Sequence, residues 1–277
     1  MSTTGHDWRK RYGDWAVVTG ASDGIGRAMA ERLAATGVSL VLTARRLDRL
    51  DAVASEITTR YGVDCRVVAA DLGGAAGVDT IVEAATTLDT GILVAAAGFG
   101  TSGEFIGNDI AAELNMIDVN CRAVVALAHH FGRRFAARGR GGIVLMSSLL
   151  AFQGVPRAAH YAATKAFIQT FAEGLRVELR HHGVDVIASA PGPVSTGFGA
   201  RADMQLGRAA DPVVVARETL AALGRTSTVR PGVLAKVLEA ALAPLPRSGR
   251  VRIMQTIMAG ITQHQNENKK GHATRPA

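Results

Sequence analysis

Six short, nearly uninterrupted apolar runs punctuate this chain, and the stretches between them carry apolar residues at helical spacing. The runs are DWAVVTG (14–20), VSLVLTA (38–44), CRVVAAD (65–71), GILVAAAG (91–98), GGIVLMSS (141–148) and VDVIASA (184–190). A strand with one wet face alternates polar and apolar residues. These do not, so each is expected to be buried on both faces. Such a sheet needs helices above and below it, and stretches such as Arg27 to Thr36, Asp109 to Arg138 and His160 to His182 supply them. Strand and helix alternating six times predict an α/β fold: a doubly wound parallel sheet with right-handed crossovers, helices on both faces and a single domain.

The first strand ends in a glycine-rich turn. Thr19 to Gly26 reads TGASDGIG, with a strand leading in and a helix leading out. Gly20 permits a sharp turn, Gly24 lets backbone approach a pyrophosphate, and Gly26 lets helix and strand pack closely. Ser22, Asp23 and Ile25 fill the turn, and the helix N-terminus offers free N–H groups to phosphate. A dinucleotide is the expected ligand; the alternative is a tight structural turn. The second strand ends in LTARR, where a site for NAD commonly carries an acidic residue on the ribose 2′-hydroxyl. Ala44 stands there instead, followed by Arg45 and Arg46, and a guanidinium can grip a 2′-phosphate. The cofactor expected is therefore NADP(H), with Arg45 the better-placed arginine. Asp71, ending the third strand, and the adjacent Leu72 are expected at the adenine ring.

AHYAATKAF (159–167) puts Tyr161 and Lys165 four residues apart, hence on one face of a helix. Alone the pair is ambiguous. With Ser148, thirteen residues before Tyr161, it is not. TGASDGIG, that Ser-to-Tyr interval, YAATK and the later PGPVST together resemble the short-chain dehydrogenase/reductase family over residues 13–235. GFGTSGEF and AFQGVPRAAHYAATKAF are similar to its ketoreductase and steroid-dehydrogenase-like members.

The resemblance implies a Rossmann-like fold and a catalytic set of Asn120, Ser148, Tyr161 and Lys165. Tyr161 gives its proton to a carbonyl oxygen while NADPH delivers hydride to the carbon. Lys165 and the nicotinamide charge of the oxidised cofactor together lower the phenol's pKa, ordinarily about 10, and Lys165 holds the nicotinamide ribose. Ser148 binds the substrate oxygen, and Asn120 anchors a water linking Lys165 to solvent. Ser148 is preferred to Ser147, because neighbouring strand residues face opposite ways. In PGPVST, Pro191 and Gly192 end the sixth strand, the Val194 backbone meets the nicotinamide carboxamide, and Thr196 meets the carboxamide or a phosphate. One departure stands out: the family's NNAG after the fourth strand is AAAG (95–98) here. Ala97 and Gly98 still admit the cofactor, while the asparagine brace of the sheet is lost.

The substrate is expected to be a small-molecule carbonyl compound or the corresponding alcohol, of a size that no residue fixes. LLAF (149–152) and Phe198 suggest a hydrophobic one. A β-ketoacyl-type reductase and a non-catalytic NADPH-binding regulator or scaffold are the alternatives. The family also implies a homodimer or homotetramer. Residues 1–247 are read as the cofactor domain, with a Gly- and Pro-rich substrate loop at 193–211. Residues 248–265 are an amphipathic helical extension and 266–277 a disordered tail. The extension's apolar face has four readings: packing on the body, an oligomer contact, a cover on the substrate site, or a membrane-surface helix.

A net charge of +7 raises nucleic acid as a partner. The charge is scattered, and its densest group, Arg133, Arg134, Arg138 and Arg140, suits a helix C-terminus, so no nucleic-acid role is expected. Cys65 and Cys121 lack ligand or disulfide spacing and read as free thiols. The pairs His129–His130 and His181–His182 diverge on a helix, so no metal site is expected. His160 reads as a pocket-rim or surface residue. No apolar run reaches the ~18 residues of a membrane span, and no signal-peptide core precedes the first strand, so a cytoplasmic protein is expected.

Overall fold

Seven parallel strands, in the order β3-β2-β1-β4-β5-β6-β7, form the centre of the computed structural model, which describes residues 8–207 and 209–265. They are β1 (Trp15–Thr19), β2 (Ser39–Ala44), β3 (Cys65–Ala69), β4 (Thr90–Ala95), β5 (Gly141–Met146), β6 (Val184–Ser189) and β7 (Thr228–Val229). Every residue of β4 and β5 is buried, as continuous apolar runs require.

The helices are α1 (Trp8–Arg11), α2 (Gly24–Ala34), α3 (Leu47–Tyr61), α4 (Ala75–Ala85), α5 (Ile110–Ile117), α6 (Ala123–Arg138), α7 (Ala159–Arg180), α8 (Phe198–Arg201), α9 (Pro212–Ala222), α10 (Val233–Leu242) and α11 (Arg247–Ile261). On one face of the sheet, Met29, Leu33, Leu50, Ile57 and Leu220 of α2, α3 and α9 meet Val18, Leu42, Ile92 and Val144. On the other, Ile81, Leu127, Phe131, Phe135 and Ile168 of α4, α6 and α7 meet Val17, Leu93, Ile143 and Val186. The doubly wound expectation holds. A third, smaller apolar cluster joins α11 to the segment after β6 through Met204, Leu242, Met254 and Met258.

The strands are shorter at their carboxyl ends than the apolar runs. Asp71, Gly98, Ser148 and Pro191 therefore lie just past the ladder, all at one edge of the sheet. The chain reverses its winding between β1 and β4, and in such sheets ligands bind in the crevice at that edge.

One expectation needs correction. The single helix over Asp109–Arg138 is broken by a π turn, Asp118–Arg122, in which the Ala123 N–H donates to the Asp118 carbonyl. A wide turn of this kind rotates the residues within it relative to the flanking helix, and such turns recur at functional sites. The seventh strand, β7, lies beyond the six apolar runs, is two residues long and is followed by α10.

The arginine cluster is structural. Arg134 Nη1 donates to Ala85 O at 2.7 Å, Arg138 forms an ion pair with Asp89 at 2.7 Å, and Arg140 Nη1 donates to Lys10 O at 2.7 Å. These bonds tie the end of α6 to neighbouring segments. Among the described residues no helix is long and apolar enough to cross a membrane, and no cluster of metal-binding side chains occurs.

Candidate active site

Two cavities meet at the carboxyl edge. The larger, about 390 Å³, is lined by the turn after β1 (Gly20, Ser22, Asp23, Gly24, Ile25 and Gly26), by Arg45, Arg46 and Arg49 after β2, by Asp71 and Leu72, and by Ala97, Gly98 and Thr196. Gly20 and Gly24 have φ of 68° and 55°, a left-handed conformation that glycine adopts without strain. A Cβ on Gly26 would lie 2.2 Å from Gly20 O, so α2 can pack on β1 only with glycine there. Asp23 caps α2, its carboxylate accepting from Gly24 N at 2.7 Å. Where the family's asparagine brace is missing, Thr19 Oγ1 accepts from Ala97 N at 3.0 Å and joins β1 to the turn after β4.

The second cavity, about 170 Å³, has Ser148, Tyr161 and Lys165 among its walls, with Pro191, Gly192 and Val194 beside them. Ile25, Gly98, Thr196 and Phe198 border both cavities, so the two are continuous. The remaining wall is apolar: Leu149, Leu150, Met204, Leu206, and Met254, Ile257, Met258 and Ile261 of α11. Of the four readings of the C-terminal helix, the geometry supports two together: Met254 and Met258 pack in one cluster with Val155, Ala158 and Ala162 of the body, and the same face lines this pocket. That helix is latched at its end: Gln205 N donates to Ile261 O at 3.0 Å, and Gln265 Nε2 donates to Ser102 Oγ at 2.7 Å and Asp203 O at 2.8 Å.

Tyr161 and Lys165 lie one turn apart on α7, both buried, with Lys165 Nζ 5.7 Å from the phenol ring centroid. Lys165 Nζ donates to Met146 O at 2.8 Å. An ammonium has three donors, so two remain to face the cavity. Burial dominates both groups. It pushes the Tyr161 phenol up to about 12, partly offset by a hydrogen bond with Ser148, and pushes Lys165 down to about 8. The sequence led us to expect Lys165 to lower the phenol's pKa. In the protein without cofactor, desolvation is the larger influence on the phenol and the Ser148 hydrogen bond the smaller.

Ser148 Oγ accepts from Leu150 N at 3.2 Å, capping the short turn Leu149–Phe152. Ser147 borders the same cavity, but its hydroxyl is engaged within the protein, donating to Lys165 O at 3.2 Å. The π turn aims Asn120 at the loop after β4. Its Nδ2 donates to Phe99 O at 2.8 Å and Thr164 Oγ1 at 3.1 Å, and its Oδ1 accepts from Phe99 N at 3.1 Å. A Cβ on Gly98 would lie 3.0 Å from Asn120 Oδ1 and 3.5 Å from Lys165 Nζ, so Gly98 admits both side chains.

Sequence reading missed several neighbours. Glu113 is almost fully buried and accepts from Thr101 Oγ1 and Asn108 Nδ2, each at 2.7 Å, and pairs with His160 Nδ1. Burial pushes its carboxyl up, but those three bonds outweigh it and hold the group below the usual carboxylate range. His160 thus fastens the loop after β4 to the start of α7, next to Tyr161. Arg49 and Arg201 also border the larger cavity. An isolated arginine in a polar stretch carries no local signal of that.

A glycine-rich turn at the β1–β4 reversal, with a buried Ser–Tyr–Lys group beside it, defines an oxidoreductase built around a nicotinamide cofactor. Residues 14–206 match the family model described as short chain dehydrogenase, and the chain belongs to that family. It is 34% identical over 178 residues to a 7beta-hydroxysteroid dehydrogenase of Collinsella aerofaciens, covering 64% of this chain and 68% of the relative. It is 35% identical over 188 residues to very-long-chain 3-oxoacyl-CoA reductase-B of Danio rerio, covering 66% and 60% respectively. Among solved structures, a 7beta-hydroxysteroid dehydrogenase studied for its stereoselectivity superposes with a TM-score of 0.82 at 29% identity, covering 89% of this chain and 98% of that one. A short-chain dehydrogenase from Sphingobium yanoikuyae in complex with NADPH superposes with a TM-score of 0.76 at 29% identity, covering 84% and 96%.

Proposed function

We propose that the protein is an NADP(H)-dependent reductase of a bulky, apolar ketone or aldehyde, with Tyr161 as general acid. The observation that carries this is the continuity of an arginine-lined cavity with an apolar pocket that has Tyr161, Ser148 and Lys165 in its wall. When bound, the cofactor supplies a hydride. The residues present suit it: the turn after β1 has room only for glycine at Gly26, and Arg45 and Arg46 stand where a 2′-phosphate would need counter-charge. Asp71 and Leu72 border the adenine end, and Pro191, Gly192, Val194 and Thr196 border the nicotinamide end.

The chemistry falls to the buried group. The Ser148 hydroxyl holds the substrate oxygen beside the Tyr161 phenol, and the phenol gives up its proton as negative charge develops on that oxygen. The two spare donors of Lys165 face the cavity and suit ribose hydroxyls. Asn120 keeps the loop after β4 in register with Lys165, and its place in the family set suggests a water relay from the lysine. The walls provided by Leu149, Phe198, Met254 and Met258 suit a rigid hydrocarbon frame. The names of the hydroxysteroid relatives agree with that reading. The free thiols of Cys65 and Cys121 suit a reducing compartment.

The test is a panel of polycyclic ketones, short ketones and acyl thioesters, followed by loss of NADPH absorbance, with NADH in parallel. We expect turnover on the polycyclic ketones and a preference for NADPH that Arg45→Ala reduces by about tenfold or more. Equal losses with NADH and NADPH would overturn the cofactor assignment, and activity confined to acyl thioesters would overturn the substrate class.

A further inference from the structure

The short helix α8 carries an arginine that the chemistry above does not use. Arg201 ends that helix and borders the larger cavity together with Arg45, Arg46 and Arg49, although it comes from a segment more than a hundred residues away in sequence. Among the described residues, none of these four guanidiniums has an ion-pair or hydrogen-bond partner. Two carboxylates border the cavity, and both are engaged by backbone: Asp23 by Gly24 N at 2.7 Å and Asp71 by Gly73 N at 3.0 Å. Burial lowers the pKa of Arg201, and repulsion from Arg45 and Arg46 lowers it further, so the charges lie close enough to oppose one another. Like charges that converge on one cavity without a carboxylate partner repel one another, and an anion bound among them relieves that repulsion.

The position of α8 gives that anion a second consequence. Phe198, three residues before Arg201, borders both cavities, and its ring centroid lies 5.2 Å from that of Tyr161. Arg201 N donates to Gly197 O at 3.2 Å, Ala202 N to Phe198 O at 2.9 Å, and Met204 N to Gly199 O at 2.9 Å, so the turn moves as one piece. Whatever fixes Arg201 also fixes the Phe198 wall over the phenol.

We propose that Arg201 clamps the 2′-phosphate of the cofactor from the substrate side, and that capture of this phosphate sets the wall of the substrate pocket through Phe198. The inference rests on the NADP(H) reading above. It makes substrate affinity depend on a phosphate at the far end of the cofactor: NADPH closes the pocket and NADH leaves it loose.

Adenosine 2′,5′-bisphosphate tests this without a nicotinamide ring, and adenosine 5′-monophosphate is its control. Each is titrated by calorimetry, and backbone hydrogen exchange is followed over residues 198–204 in the saturated protein. The bisphosphate is expected to slow exchange there and the monophosphate is not. Arg201→Met is expected to raise the bisphosphate Kd about tenfold and abolish the protection. Arg201 is exposed, so the variant is expected to fold as the parent does. Wild-type affinity and undiminished protection in Arg201→Met would overturn the clamp while leaving the role of Arg45 intact. Bisphosphate binding no tighter than monophosphate in the parent protein would overturn the clamp and the NADP(H) reading together.

Discussion

Lys165 is the residue at which stability and function diverge. Its ammonium is buried against an apolar wall with one carbonyl partner, and its pKa falls from 10.5 to about 8. The unfolded chain keeps that proton to a higher pH than the folded one, so between about pH 8 and 10.5 the unfolded state binds more protons and the Lys165 contribution to stability rises with pH. Tyr161 acts the other way. Its folded pKa is raised from 10.0 to about 12, so its contribution is full below pH 10 and is lost as pH climbs to 12. We expect Lys165→Met to raise the melting temperature by a few degrees at pH 7 and to lose nearly all turnover. The gap in melting temperature should narrow as pH rises from 8 to 10, and a constant gap would contradict the burial argument. The sequence made this pair visible because four residues is one turn of helix. It gave no sign of how dry the site is, since burial comes from Phe198, Leu149 and α11, which the chain brings from three distant segments.

At the scale of elements, the six-strand rhythm was legible because the inner strands, buried on both faces, cannot hide their composition; β3, expected to be buried likewise, is an edge strand with Arg66 and Ala69 exposed. The exceptions have physical reasons. The π turn at Asp118–Arg122 adds no unusual residue to the helical pattern, because the same side chains serve either winding. Helix α10 carries apolar residues at helical spacing but buries only Ala235 and Leu242, and it starts after a glycine with φ 90° and without a capping side chain, so its start is unmarked. Helix α11 was legible as amphipathic but not by partner, because an apolar stripe states only that something covers it. Met254 and Met258 pack against the body and line the second cavity. Truncating both to Ala should raise the KM for a bulky ketone about tenfold and cost roughly 2–5 kcal/mol per site where the pocket cannot collapse. NADPH affinity should be unchanged. An unchanged KM measured with a correctly folded double variant would place the substrate elsewhere.

At the scale of the whole molecule, α5 and α7 leave a face of exposed apolar side chains. Ile110, Leu114, Phe167 and Val177 are all more than 45% exposed. Phe167 and Phe171 stack with centroids 6.2 Å apart and border a shallow groove with Leu175. A soluble monomer rarely leaves so much apolar surface on two neighbouring helices. A second copy of this chain is the occupant we propose, in keeping with the homodimer or homotetramer the family implies. Light scattering should give a dimer or tetramer, and Phe167→Glu should shift it toward monomer; a monomeric parent protein would contradict this.

The central claim is that the buried phenol of Tyr161 delivers the proton in an NADPH-dependent carbonyl reduction. The most direct measurement pairs two readings on Tyr161→Phe: NADPH consumption with the best ketone of the panel, and NADPH affinity by fluorescence titration. Removing one hydroxyl leaves the cofactor cavity and its arginines in place, so the Kd should stay within about twofold of the parent. Turnover should fall about a thousandfold or more, the scale of a lost general acid. A Tyr161→Phe enzyme that still reduces the ketone at a rate near the parent's would contradict the account.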